Sequence, residues 1–227
     1  MNLNIKYGYL IIQLLLIPII GNCQDFFEGK IHYKVEYEKI NQNIPDGFLE
    51  TQMGDSFDAF VKEDKYLMIY NTKGELGTIK TLIRLDEGYS YLIAEKSDTI
   101  YKSPLDNEKD KLLKLVKITD NKKEVLGEMC DFVVLEYETN NPDNFFKISR
   151  GKHYYNPKYK LNPEKYKNHT SGFWNQYVDA ALAISIRNEH EYEGLFKSIS
   201  YATEIEQQSI PEDIFAIDDT KIIKLEE

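Results

Sequence analysis

Residues Gly29–Ile40 read GKIHYKVEYEKI. Ile31, Tyr33, Val35 and Tyr37 take every second place, with Lys30, His32, Lys34, Glu36 and Glu38 between them. Side chains of a β-strand alternate between the two faces of a sheet, so this spacing puts an apolar row on one face and a charged row on the other. A strand buried on one face belongs to an antiparallel sheet, because parallel sheets are covered on both faces and read as continuous apolar runs.

The same signal recurs downstream. In DSFDAFVKEDKYLMIYN, Phe57, Ala59 and Val61 alternate before a turn at Glu63–Lys65 and a second run, Leu67–Tyr70. GTIKTLIRLDEGYSYLIAEKSDTIY gives strands over Thr78–Leu85 and Tyr89–Glu95 about the turn Asp86-Glu87-Gly88, rich in β-branched and aromatic residues. Cys130–Tyr137 and Phe145–Ser149 flank the turn-rich TNNPDN, and LAISIRNEHEYEGLFKSISYATEIEQ is a strand pair about Glu193-Gly194. IPEDIFAID reads as a Pro-led closing turn.

Two stretches interrupt this rhythm. In PLDNEKDKLLKLVKI, Asp106 or Asn107 can cap a short helix with Leu112, Leu113 and Val116 on one face, and a strand over Leu115–Ile118 fits almost as well. In LNPEKYKNHTSGFWNQYVDAA, Asn162 is a cap with Pro163 at the first helical position. Phe173, Tyr177 and Ala180 or Ala181 recur at helical spacing, and Gly172 breaks the segment into one or two short helices. Eight to eleven successive strands with so few helices exclude the βαβ alternation of a parallel sheet. The fold class is mainly β (α+β): a large curved antiparallel sheet with a few short covering helices.

The N-terminus carries its own message. Lys6 precedes an apolar run from Tyr9 to Ile20, interrupted by Gln13 and Pro18, which is the charged and apolar pattern of an export signal. The run falls short of the roughly 20 residues a membrane span requires, so no transmembrane span is expected. Cleavage before Gln24 would place Gly21 and Cys23 at the positions where signal peptidase needs small side chains. Lipid anchoring at Cys23 is the alternative, disfavoured because Asn22 stands where a lipoprotein signal has a small residue. The division is therefore a signal peptide over 1–23 and one domain over 24–227. Cys130 is then the only remaining cysteine, in a strand-like apolar setting that favours an inert, packed thiol.

The chain has 28 basic and 38 acidic residues, a net charge of −10, one more negative once Lys6 leaves. That balance excludes nucleic acid and anionic lipid headgroups as electrostatic partners, and leaves apolar ligands open.

Three stretches, EGKIHYKVEYEK, VLGEMCDFVVLEYE and LFKSISYATEIEQQSIPEDIFAID, resemble exported Bacteroidetes proteins of unknown function. Those families have an opening Gly-x-Ile-x-Tyr strand, a Gly-x-x-Cys strand and a final strand followed by Ile-Pro-x-x-x-Phe. The resemblance implies the fold of the outer-membrane lipoprotein carrier (LolA/LolB-like) superfamily, a half-open β-barrel with helices as a lid over an apolar cavity. It spans most of residues 24–227 and brings no catalytic residues. The chain departs from the shorter pattern by the insertion-like YYNPKYKLNPEKYKNHTSGFWNQYVDAA.

Motifs with chemistry of their own are missing from the sequence. His32, His153, His169 and His190 show no metal-ligand spacing. In RNEHEYE, Glu189, Glu191 and Glu193 share one strand face while His190 takes the other, which reads as a solvated polar strand. No Gly-x-Ser-x-Gly elbow or phosphate loop occurs, and neither a catalytic residue nor a cofactor is expected. Asn168-His169-Thr170 matches a glycosylation triplet by chance in what reads as a bacterial export context.

The aromatic content, 17 Tyr, 11 Phe and one Trp, belongs to a core or lines a cavity for an amphipathic ligand. As candidate cavity or lid residues the sequence offers Tyr33, Val35, Tyr37, Phe57, Ile83, Tyr91, Phe173, Trp174 and Tyr177. The first functional expectation is an exported periplasmic or outer-membrane-associated protein that binds a lipid, lipidated or other apolar ligand without catalysis. Two others stand beside it: a solid-core module binding an envelope protein through its acidic surface, and a hydrolase using scattered carboxylates.

Overall fold

The computed structural model describes residues 26–106, 110–140, 144 and 146–226. The expected signal peptide with Cys23, the cap at Asn107, the turn residues 141–143 and the strand start at Phe145 lie outside the described residues. Within them twelve strands form one sheet. In chain order these are β1 Gly29–Lys39, β2 Ser56–Val61, β3 Lys65–Tyr70, β4 Ile79–Arg84, β5 Tyr89–Ala94, β6 Thr99–Pro104, β7 Lys111–Val125, β8 Glu128–Glu138, β9 Ile148–Lys160, β10 Ala183–Tyr192, β11 Phe196–Gln207 and β12 Ile222–Leu225. The spatial order is β12-β6-β5-β4-β3-β2-β1-β11-β10-β9-β8-β7. β12 and β7 end that order without pairing to each other, so the sheet curls without closing.

Each hairpin follows from its turn chemistry. Gly88 and Gly194, at φ 75° and 73°, supply the left-handed residue that the β4–β5 and β10–β11 turns need. The meander β2 to β6 is antiparallel throughout, and β1 closes against β11. β12 is the exception, running parallel to β6. Lys221 fastens its start, donating from Nζ to the carbonyls of Ala94 at 2.9 Å and Ser97 at 2.8 Å.

Of the two readings open for the segment after Pro104, the strand is the one found. β7 pairs with β8 over most of its 15 residues. Leu112, Leu113 and Val116 fit either period, and pairing with the long β8 decides between them. The second interruption is helical: α2 spans Pro163–Tyr166, and the Asn162 side chain accepts from the Glu164 N–H at its start. A 3-10 turn at Ser171–Phe173 leads into α3, Trp174–Ala181. A further six-residue helix, α1 Phe48–Met53 between β1 and β2, has no counterpart among the sequence expectations.

Strand alternation separates two cores. One, on the concave side, holds Tyr33, Phe57, Val61, Val133, Tyr177 and Val178 beneath α2 and α3. The other lies on the opposite face of β3–β6, where Leu67, Leu82, Tyr91 and Ile100 pack against Ile210 and Phe215 of the C-terminal segment.

Candidate functional site

A cavity of about 460 Å³ occupies the concave side, within the range of small-molecule sites. β1 contributes Tyr33, Val35 and Tyr37, and β2 contributes Phe57, Ala59 and Val61, the inward row of each alternating strand. Tyr33 and Phe57 are cross-strand partners and stack at 4.5 Å, with ring planes 11° apart. β3 extends this wall through Tyr66, Met68 and Tyr70. The opposite wall comes from β10 and β11, and Tyr166, Trp174 and Tyr177 descend from the helices.

Two tyrosine hydroxyls tie these parts together. β10 carries register shifts around Ser185, and such bulges leave backbone groups outside the ladder. The Tyr33 hydroxyl donates to the Ser185 carbonyl at 2.8 Å, reaching over β11. The Tyr177 hydroxyl donates to the Ala183 carbonyl at 3.0 Å and seats α3 on the same strand. α2 docks by ring contact, Tyr166 stacking on Tyr66 at 6.3 Å.

Among the described residues the wall contains no Lys, Arg, Asp or Glu, and burial favours the neutral form of the titratable groups in it and next to it. Loss of hydration penalises the charged form of any group, so phenol pKa values rise and imidazole values fall. Burial holds Tyr33, Tyr66 and Tyr70 well above the usual phenol range and pushes Tyr192 up to about 12. It lowers His190 to about 4 and His169 to about 4. For His153 burial acts first and the neighbouring His190 second, against a hydrogen bond to Asn188, and the value falls to about 3.

Six of the nine candidate residues thus meet at the cavity: Tyr33, Val35, Tyr37, Phe57, Trp174 and Tyr177. Three do not. Leu82 lies across from Tyr91 and Ile83 across from Ser90, so Ile83 and Tyr91 face opposite sides of the sheet. Tyr91 belongs to the rear core, its hydroxyl donating to Glu87 Oε2 at 2.7 Å. Ile83 is paired with Tyr66, on the cavity side, and is buried beyond the wall. Phe173 sits at the entry to α3 in the left-handed region, φ 59°, with its ring 5.8 Å from Tyr137.

The alternation in RNEHEYE correctly separates the glutamates from His190. Lys123 and Arg187 each approach Glu189 Oε1 at 2.8 Å, and Arg150 approaches Glu193 at 3.0 Å. On the other face His190, half-buried, turns into the cavity. His153, 2 % exposed, packs 4.9 Å from His190 and 5.5 Å from Trp174. Sequence reasoning misses this imidazole cluster because β9–β10 pairing, not sequence spacing, assembles it. Among the described residues no group of three or more His, Cys, Asp or Glu is placed to hold a metal ion.

No family model matches the chain, and no curated protein matches it. Similar solved structures exist at low identity. An uncharacterized conserved protein from Thermus thermophilus is 9 % identical, with a TM-score of 0.41 over 86 % of this chain and 91 % of that one. A LolA superfamily protein from Nitrosomonas europaea is 8 % identical, with a TM-score of 0.38 over 86 % and 92 %. A putative outer membrane lipoprotein-sorting protein domain from Vibrio parahaemolyticus is 10 % identical, with a TM-score of 0.34 over 82 % and 89 %. No helix among the described residues is long and apolar enough to cross a membrane.

Proposed function

We propose that this is an exported cell-envelope protein that holds a lipid or other apolar ligand in the trough of its half-open barrel and performs no chemistry on it. The observation that carries this reading is the uncharged wall of the 460 Å³ cavity, lined mainly by aromatic and aliphatic side chains on the concave side of the sheet. Apolar ligands bind such surfaces by leaving water, and tyrosine rims accommodate amphipathic ones. A hydrolase would bring its carboxylates to the cavity, whereas the acidic side chains of β10 pair with Lys and Arg elsewhere.

The test is binding of N-phenyl-1-naphthylamine, an uncharged dye that brightens in apolar surroundings. Saturable binding is expected, weakened at least tenfold by Ala59→Trp, which fills the trough from β2. Absence of binding, or binding unchanged in that variant, would favour the solid-core envelope module. Export is tested separately by the mass of the protein recovered from a bacterial envelope. A chain starting at Gln24 supports release, and one starting at Cys23 with added acyl mass makes it an anchored lipoprotein.

A further inference from the structure

A second hollow adjoins the trough. It is a groove of about 330 Å³ lined by Ile44, Phe48, Leu49, Met53, Leu195 and Phe196, every one of them apolar. Its walls are α1, the loop before it and the β10–β11 turn. Backbone bonds hold that loop to that turn, the N–H groups of Ile40 and Asn41 donating to the Leu195 carbonyl at 3.0 and 2.8 Å.

The two hollows are one side chain apart. Met53 lines both. Next to it in the chain, the Gly54 carbonyl accepts from the Tyr37 hydroxyl at 2.8 Å. Tyr37 lines the trough, and its ring stands 6.1 Å from that of Phe196, which lines the groove. Methionine is flexible and adapts to what packs on it, so this partition yields more readily than a branched side chain would.

The partition also lies at a mouth of the trough. Gln52, beside Met53 on α1, is exposed and lines the trough, and Thr72 lines it from the loop after β3. That loop is fastened to α1 by the Lys73 N–H, which donates to the Thr51 carbonyl at 2.9 Å. An amphipathic molecule keeps its polar head where water and polar groups remain and sends its tail inward. From a head beside Gln52 and Thr72, one tail enters the trough, and the groove beyond Met53 is still open to another. Left empty, the groove keeps apolar surface in water, Phe48 alone being 47 % exposed.

We infer that the ligand has two acyl tails on one polar head, with one tail in the trough and the other in the groove across Met53. The class is a two-chain lipid. This rests on the reading of the trough as a ligand site and narrows it. Each methylene withdrawn from water is worth about fourfold in affinity, so a few of them seated in the groove give roughly tenfold or more.

The experiment is displacement of bound N-phenyl-1-naphthylamine by 1,2-dioctanoylglycerol and by 1-hexadecanoylglycerol, with the wild-type protein and with Phe48→Asp. The two lipids carry the same number of acyl carbons, on two tails and on one. Phe48 lines the groove and not the trough, and an acidic residue suits the first turn of a helix. The expected result is displacement by the two-tailed lipid at about tenfold lower concentration, with that advantage erased in Phe48→Asp while the one-tailed lipid is unaffected. Equal potency on the wild-type protein, or an advantage that survives Phe48→Asp, overturns the inference and leaves the apolar trough standing. An equal loss for both lipids in the variant also overturns it, and assigns the groove to the far end of a single long tail. Failure of the dye to bind at all sinks both readings. If Phe48→Asp does not fold, the wild-type ratio of the two lipids decides.

Discussion

Gly151 lies directly beneath the imidazole of His153, close enough that a methyl group there would come within 2.6 Å of Nε2. Gly151→Ala is therefore expected to push His153 and His190 out of register with Asn188 and to destabilise the protein by about 1–3 kcal/mol, the usual cost of overpacking. Urea unfolding of the two proteins checks this, with an unchanged midpoint counting against it.

Stability should fall on mild acidification, and the sign follows from the histidines. His153 is lowered from 6.5 to about 3 in the folded chain, and His169 and His190 from 6.5 to about 4. Below 6.5 the unfolded chain takes up protons that the folded chain refuses, so stability present above that pH is lost as pH falls toward the folded values. Thermal melting between pH 7 and pH 5, before the carboxylates titrate, should drop by several degrees. His153→Phe should flatten the dependence, and an equal slope in both proteins would remove His153 from the account.

Leu182 ends α3 in the left-handed region at φ 55° while its side chain is 49 % exposed. Its backbone remains useful, the N–H donating to the Val178 carbonyl and its own carbonyl accepting from Leu161. Leu182→Gly removes the strain and little packing, and should stabilise by about 0.5–1 kcal/mol after the added freedom of the unfolded glycine is counted. A lower denaturation midpoint would contradict this.

Cys130 is fully buried, and burial, with Glu128 adding to it, pushes its thiol up to about 11. Since the thiolate is the reactive form, a maleimide at pH 7.5 should leave Cys130 untouched in the folded chain from Gln24 onward and label it once denatured. Rapid labelling under native conditions would show a reactive thiol.

The strands were legible because alternation is local: the apolar rows of β1 and β2 are visible without knowing what they face. β12 was not, because all four of its residues are exposed and parallel pairing with a distant strand leaves no local pattern. The β7 segment was ambiguous because Leu112, Leu113 and Val116 satisfy both periods. Tyr91 was misplaced for want of register, since choosing Ile83 as inward in the β4–β5 hairpin turns Tyr91 outward. His153 and His190, 37 positions apart along the chain, meet only through the Gly151–His190 pairing of β9 with β10.

The hydrogen bond from Tyr33 to the Ser185 carbonyl runs as a chord across the arc formed by β1, β11 and β10. A chord of fixed length sets the radius of its arc, so the bore of the trough at this end is gauged by the reach of one tyrosine. Phenylalanine fills the same space but falls short by the hydroxyl, and the arc is then free to relax outward. The width of the trough is in this way written into a single oxygen atom, separately from the aromatic rings that make it apolar.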